Sequence, residues 1–544
     1  MLKALLSLAA ALFATSAIAG TPGRTYYVSS SGSDSNSGLD AAHAWADCTP
    51  VNTRQFNPGD TVLFQGGATF SCGVNWGENL RGSPSNLLTL SSYGSSNATL
   101  TPTSGTNGFT AINNGGMAIT NLTFTGTGQA TDSAYGIYVW NWTSLNGLVD
   151  TFIIQNVNVS QFGDSGIQFE GNQFGPAHNV GAGWKNVTLQ NVNASYNAGV
   201  DDEGGGASGV EIFSDGLAYT GSYSTPTFVN LLLDHVTADH NTGVSGNNDG
   251  HGIAVSEFQN GTLQWSEASY NGTSSVGAGG MMMLDSTGGL MQFNESHHNT
   301  STGADGNGFD FDGGSQNAVA QFNYSHDNKN YGLMTYSYTA GGLAGISNVT
   351  YRYNVSQNDG SCMFLSLAGA GGAATGVKYY GNTCYNTGTQ KGLEVSGSIT
   401  GNVINNIFYG VASSAKMVTT DNADASLSLQ GNDYYGAAGS LSFTWNSTTY
   451  GSFAAWQTAT GQEKISGANV GLTSNPSLTS PGSGPTCGGY CGATLTAYQL
   501  QAGSPMIGVG QNTQTLIGSS SPVDYYGHAV PSSSGYDLGA DNSR

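Results

Sequence analysis

The stretch "DGNGFDFDGG", Asp305 to Gly314, gathers three aspartates in a chain of which only 8% is charged. Asp310 and Asp312 alternate with Phe309 and Phe311, and in a strand residues two apart share a face. If the phenylalanines fill a core, both aspartates project outward, with Cα atoms roughly 6.6 Å apart. Crowded acids raise one another's pKa. One carboxyl then keeps its proton while the other ionises, which is what glycoside hydrolysis requires. The same oxygens are hard ligands, so calcium at Asp305 is a second expectation. The stretch partly matches the Gly/Asp nonapeptide of calcium-binding β-rolls, but it occurs once where rolls need tandem copies. Otherwise no cofactor is required.

The elements that must hold these acids are announced by a repeat. "ASYN", "ADHN", "ASYN", "SHHN", "SHDN", "VSQN" and "TCYN" end at Asn197, Asn241, Asn271, Asn299, Asn328, Asn358 and Asn386. After each Asn a short apolar strand follows, as in "HGIAVS", "GGMMML", "NGFDFD", "YGLMTY" and "KGLEVS". One strand per turn, stacked on the next, describes an all-β, right-handed parallel β-helix whose coils bury a continuous column. The recurrent Asn sits at a turn, its amide pairing with those above and below. His240, His297, His298, His326 and Asp327 fall in the slots just before it and read as solvent-facing turn residues.

Parity then names an outward column. It holds Tyr138 and Trp140, Gln168 and Glu170, Glu211 and Phe213, Ala254 and Ser256, and Met282 and Leu284. Asp310 and Asp312, Met334 and Tyr336, Met363 and Leu365, and Glu394 and Ser396 continue it. Carboxylates mixed with aromatic rings suit a saccharide groove. Glu211, Glu170, Tyr336, Trp140, Tyr138 and Glu394 are therefore the expected substrate contacts. Asp249, Asp305 and Lys329 each precede their strand's Gly252, Gly308 or Gly332 by three residues, which places them on one rim, and His251 enters beside Gly252. Asp310, Asp312, Asp249, His251 and Lys329 are the expected catalytic set.

"TYYVSSSGSDSNSG", "NPGDTVLFQGG" and the ending "LQAGSPMIGVGQ…DYYGHAVPSSSGYDLGA" resemble secreted β-helix proteins of the pectate-lyase-like superfamily. "GNGFDFDGG" resembles the stretch that carries the catalytic Lys of family 9 polysaccharide lyases, with Asp310 at the Lys position. "DGHG" at Asp249–Gly252 and the pair Asp201-Asp202 resemble elements of polygalacturonase-type hydrolases, without their downstream Arg-x-Lys. The resemblance implies a secreted β-helix acting on polysaccharide.

The start "MLKALLSLAAALFATSAIAG" reads as a signal peptide over 1–19. Residues 20–110 then form an N-terminal cap and first coils, 111–430 the β-helix, and 431–544 a closing segment. No later apolar run is long enough to span a bilayer, so a secreted monomer is expected. A formal charge of −22 excludes nucleic acid as a partner. Six cysteines suit an oxidising compartment; Cys48 with Cys72, Cys362 with Cys384 and Cys487 with Cys491 could pair, and spacing alone leaves the connectivity open.

The favoured activity is hydrolysis of a polysaccharide by Asp/Glu acid–base chemistry. A lyase, possible with calcium, is the alternative; it needs a base and a cation beside a uronate carboxylate, for which Lys329 and Lys391 are the candidates near the column. A third reading is a non-catalytic glycan-binding or adhesin-like surface protein.

Overall fold

The computed structural model describes residues 23–544 except 79, 81, 143–146, 175–179, 200–207, 216–225, 339–343, 369–372, 422–425, 532, 534 and 544. The expected signal peptide and the Asp201-Asp202 pair lie outside the described residues. Parallel strands pair coil upon coil, so that the chain winds as a right-handed parallel β-helix. Each regular coil contributes three strands. In one coil these are Thr287–Gln292, Glu295–His297 and Phe309–Asp312, and in the next Val319–Gln321, Tyr324–His326 and Tyr331–Tyr338. Inward residues such as Ile253, Met281, Phe309 and Leu333 form one continuous buried column.

Buried asparagines fix the corners. The backbone N–H and side-chain Nδ2 of Asn271 both donate to Asn299 Oδ1, at 3.1 and 3.0 Å. Asn299 does the same to Asn328, and Asn328 to Asp359. The ladder therefore continues through Asp359, one residue beyond the expected Asn358. Asn358 instead takes the left-handed slot before it, with φ 57°. That slot also holds Tyr196, His240, Tyr270, His298 and Asp327, consistent with the tolerance of His, Asn and Asp for positive φ.

A second ladder, Asn294–Asn323–Asn354–Asn382–Asn406–Asn432, lines the preceding corner with the same paired bonds. It terminates on Glu463. Sequence reading missed it because Asn294, Asn323 and Asn354 each lie five residues before a member of the first ladder and were absorbed into that repeat, while Asn382, Asn406 and Asn432 lie beyond the first ladder's last member. Each such bond satisfies a buried group whose loss costs about 1–3 kcal/mol.

All three expected disulfides form, at S–S distances of 2.02, 1.93 and 2.03 Å. At the far end Trp456, on the Phe453–Thr460 helix, is fully buried and stacks on Phe443 at 4.7 Å. The chain then returns along the outside. Leu478, Leu495, Tyr498, Met506 and Tyr525 pack on Tyr324, Tyr353, Tyr380 and Ile407. This return corrects one expectation: His297 and His326 are buried, not solvent-facing, each only 2% exposed. Among the described residues no helix is long and apolar enough to cross a membrane.

Candidate active site

The outward column exists as strand parity demands, with one correction. Register runs Tyr138–Gln168–Glu211–Ala254–Met282–Asp310–Met334 and Trp140–Glu170–Phe213. The next coil presents Phe364 and Ser366, which then pair with Glu394 and Ser396. Met363 and Leu365 point into the core instead. The reason is that Cys362 occupies the position glycine takes in other coils, its side chain turned inward to Cys384. Cys362 thus stands in register with Gly332 and Gly392, and the residue after it, Met363, aligns with the core-facing Leu333 and Leu393.

Asp310 is 3% exposed. Its Oδ2 accepts from Asn307 Nδ2 at 3.2 Å, while Oδ1 has no hydrogen-bond partner among the described residues. Burial pushes its carboxyl well above the usual range, and the charges of Asp312 and Asp305 push it further. Asp312, at the strand end, is part-exposed and accepts the Gly313 N–H at 2.8 Å. Burial, with the charge of Asp305, raises it to about 8, while the Gly313 bond works in the opposite direction and favours its ionised form. Of the coupled pair, Asp312 therefore ionises first and Asp310 holds the proton. Asp305 is pushed up to about 6 by burial. Tyr336 faces all three carboxylates, whose charges add to burial in raising its phenol.

A second group of acids lies nearer the N-terminus. Glu211, 2% exposed, is raised to about 8 by burial and then by Asp164, Glu170 and Asp249. Ser165 Oγ donates to its Oε2 at 3.1 Å, and Tyr138 Oη donates to Glu170 Oε2 at 2.6 Å. Asp164 was missed in the sequence, where it precedes its strand in a turn and no column position marks it. Tyr135, Tyr138, Trp140 and Trp142 form a run of neighbouring rings, with centroids 4.7, 6.5 and 6.0 Å apart in succession.

The remaining expected residues are placed differently. Asp249 is buried under the rim, where its Oδ1 accepts the Val244 N–H at 2.9 Å. His251 is buried, with Nε2 3.2 Å from the Asn248 carbonyl and Nδ1 accepting the Gly279 N–H at 3.1 Å. Burial lowers its pKa to about 4, so it is a neutral ring with both nitrogens engaged by backbone. Lys329 is exposed and gives its ammonium to the Ser301 carbonyl. Lys391 is ion-paired to Glu394, which also accepts from Ser361 Oγ at 2.8 Å. Both lysines nearest the column are thus occupied. An open cavity of about 680 Å³ lies on a different face and contains none of these residues.

Solved structures of similar shape include the GH136 lacto-N-biosidase from Eubacterium ramulus. It matches at 16% identity and TM-score 0.48, over 67% of this chain and 64% of that one. Pectate lyase Pel9A matches at 16% identity and TM-score 0.42, over 96% of this chain and 97% of that one. The fold is a right-handed parallel β-helix. Within this β-helix the acids lie on the outer side of a stacked strand face, and the chain spans about two thirds of the biosidase's own length. No family model matches the chain, and no curated protein matches its sequence.

Proposed function

We propose that this β-helix is a secreted enzyme that hydrolyses glycosidic bonds of a neutral or weakly charged polysaccharide lying along the outward column. The observation that carries this reading is the Asp310–Asp312 pair, in which one carboxyl is buried and short of partners and the other is open and held by a backbone N–H. Asp310 is the general acid that protonates the leaving oxygen, and ionised Asp312 is the base or nucleophile. Tyr336 orients the sugar at the pair, and Trp140 with Tyr138 supplies a stacking platform further along the column. Glu211 and Glu170 contact hydroxyl groups between them. Asp249 and His251 act by holding the turn beside Glu211.

Elimination needs a free cation beside the uronate carboxylate, and Lys329 and Lys391 are both engaged elsewhere. That favours hydrolysis over lyase chemistry. The three disulfides support an oxidising, extracytoplasmic setting. Replacing Asp312 by Asn tests the assignment. Retained glycan binding with lost turnover supports it, whereas unchanged turnover removes Asp312 from the mechanism. Glycan binding without turnover in the unmodified protein would point to an adhesin-like surface protein.

A further inference from the structure

Away from the acids, on the face formed by the Glu267–Ser269, Glu295–His297 and Tyr324–His326 strands, three imidazoles converge at a corner. One nitrogen from each of His297, His298 and His326 lies within 4.8 Å of the other two. We propose that these three histidines form a binding site for a first-row divalent cation of the zinc class.

Ring orientation is the main argument. His297 Nε2 lies 3.0 Å from Glu267 Oε1, and His326 Nε2 lies 3.1 Å from Glu295 Oε1. In each case a carboxylate holds one nitrogen and turns Nδ1 away from itself. Metal-binding histidines have this outer support, which fixes the tautomer and raises the basicity of the ligating nitrogen. Glu295 is itself clamped: the Cys487 and Gly489 N–H groups donate to it at 2.9 Å each, from a loop closed by the Cys487–Cys491 disulfide.

The spacing fits a single ion. His297 Nδ1 and His298 Nδ1 are 2.9 Å apart. With metal–nitrogen bonds of about 2.05 Å, two ligands at a right angle are separated by about 2.9 Å, and at a tetrahedral angle by about 3.3 Å. The stacked rings of His297 and His326, with centroids 4.6 Å apart, bring the third imidazole alongside. His326 Nδ1 now lies 3.0 Å from Asp327 Oδ2, so an ion bound there would replace the proton shared between them. Imidazole ligands select zinc, copper or nickel over calcium or magnesium. The cysteines near Glu295 are tied in their disulfide and offer no thiolate. His298 occupies a left-handed corner of the coil, with φ 54°, and lies half-buried. A bound ion would therefore tie that corner to the strand beneath the returning C-terminal segment.

The test uses the full secreted chain without a histidine tag, stripped with chelator and titrated with zinc chloride by calorimetry. Metal content is measured after dialysis. The expected result is one zinc per chain, a raised melting temperature, and visible absorption bands when cobalt replaces zinc. His298→Asn keeps a residue suited to positive φ and should weaken binding at least about thirtyfold. Glu267→Gln, which alters only the supporting carboxylate, should weaken it by about 10- to 100-fold. His240→Asn, changing a ring in the same surface stack, should leave binding unchanged. The proposal is overturned by a stoichiometry below about one tenth. It is equally overturned by wild-type affinity in a folded His298→Asn variant, or by equal losses in His298→Asn and His240→Asn.

Discussion

Glu211 and Asp310 stand in one column of outward side chains, three rungs apart, with only Ala254 and Met282 between them. At about 4.8 Å per rung they are separated by roughly 14 Å along the axis. Two buried acid groups thus face one path, linked by two uncharged side chains. On the proposed function, a polysaccharide along that path would meet the aromatic run first, then Glu211, and then the Asp310–Asp312 pair.

The raised pKa of Glu211 makes stability depend on pH. Its carboxyl is lifted from 4.5 to about 8 by burial and by neighbouring acids. Between those values the folded chain holds a proton that the unfolded chain has released. Stability is therefore fully present below about pH 4.5 and falls as pH rises towards 8, by about 1.4 kcal/mol per unit from this group alone. Thermal melts across that range should show a shallower decline in Glu211→Gln than in the unmodified protein. Parallel curves would contradict the burial argument.

Trp140 belongs to the expected stacking platform, and its effect should fall on binding. Trp140→Ala should raise KM roughly tenfold, equivalent to about 1.4 kcal/mol, and leave kcat within about twofold. A fall in kcat at unchanged KM would place the reacting sugar at Trp140 instead of at Asp310.

The ladder should be costly to interrupt. Asn299→Ala leaves the Asn271 N–H and the Ala268 carbonyl without the partners they have now. At about 1–3 kcal/mol for each orphaned group, denaturant unfolding should show a loss of at least about 2 kcal/mol. A change below about 0.5 kcal/mol would show that water or relaxation replaces the ladder bonds.

Much of this was legible in the sequence because a β-helix repeats its local rules. The Asn spacing marked one corner, and alternation placed Phe309 and Phe311 inside with Asp310 and Asp312 outside. The failures were of three kinds. Where a residue type departed from the repeat, as with Cys362 at the glycine position, the local reading slipped and Met363 and Leu365 were sent outward. Where burial came from distant chain, as with His297 and His326 beside the returning C-terminal segment, nothing in the repeat signalled it. Asp164 shows a third limit, since its place beside Glu211 arises only when coils stack.

Calcium at Asp305 is separable from acid–base chemistry. If Asp310 and Asp312 act alone, turnover should survive chelation unchanged and Asp305→Asn should reduce it less than about tenfold. A loss on chelation restored by calcium, but not by zinc, would assign a calcium role there.

The most direct measurement is a panel of neutral and uronate polysaccharides digested with the unmodified protein and with Asp310→Asn, read for reducing ends and for the ultraviolet absorbance of unsaturated uronates. Reducing ends should appear from a neutral polysaccharide without that absorbance. Asp310→Asn should lower turnover at least about a hundredfold while binding persists. Absorbance rising in step with cleavage, or full turnover in Asp310→Asn, would contradict hydrolysis at the Asp310–Asp312 pair.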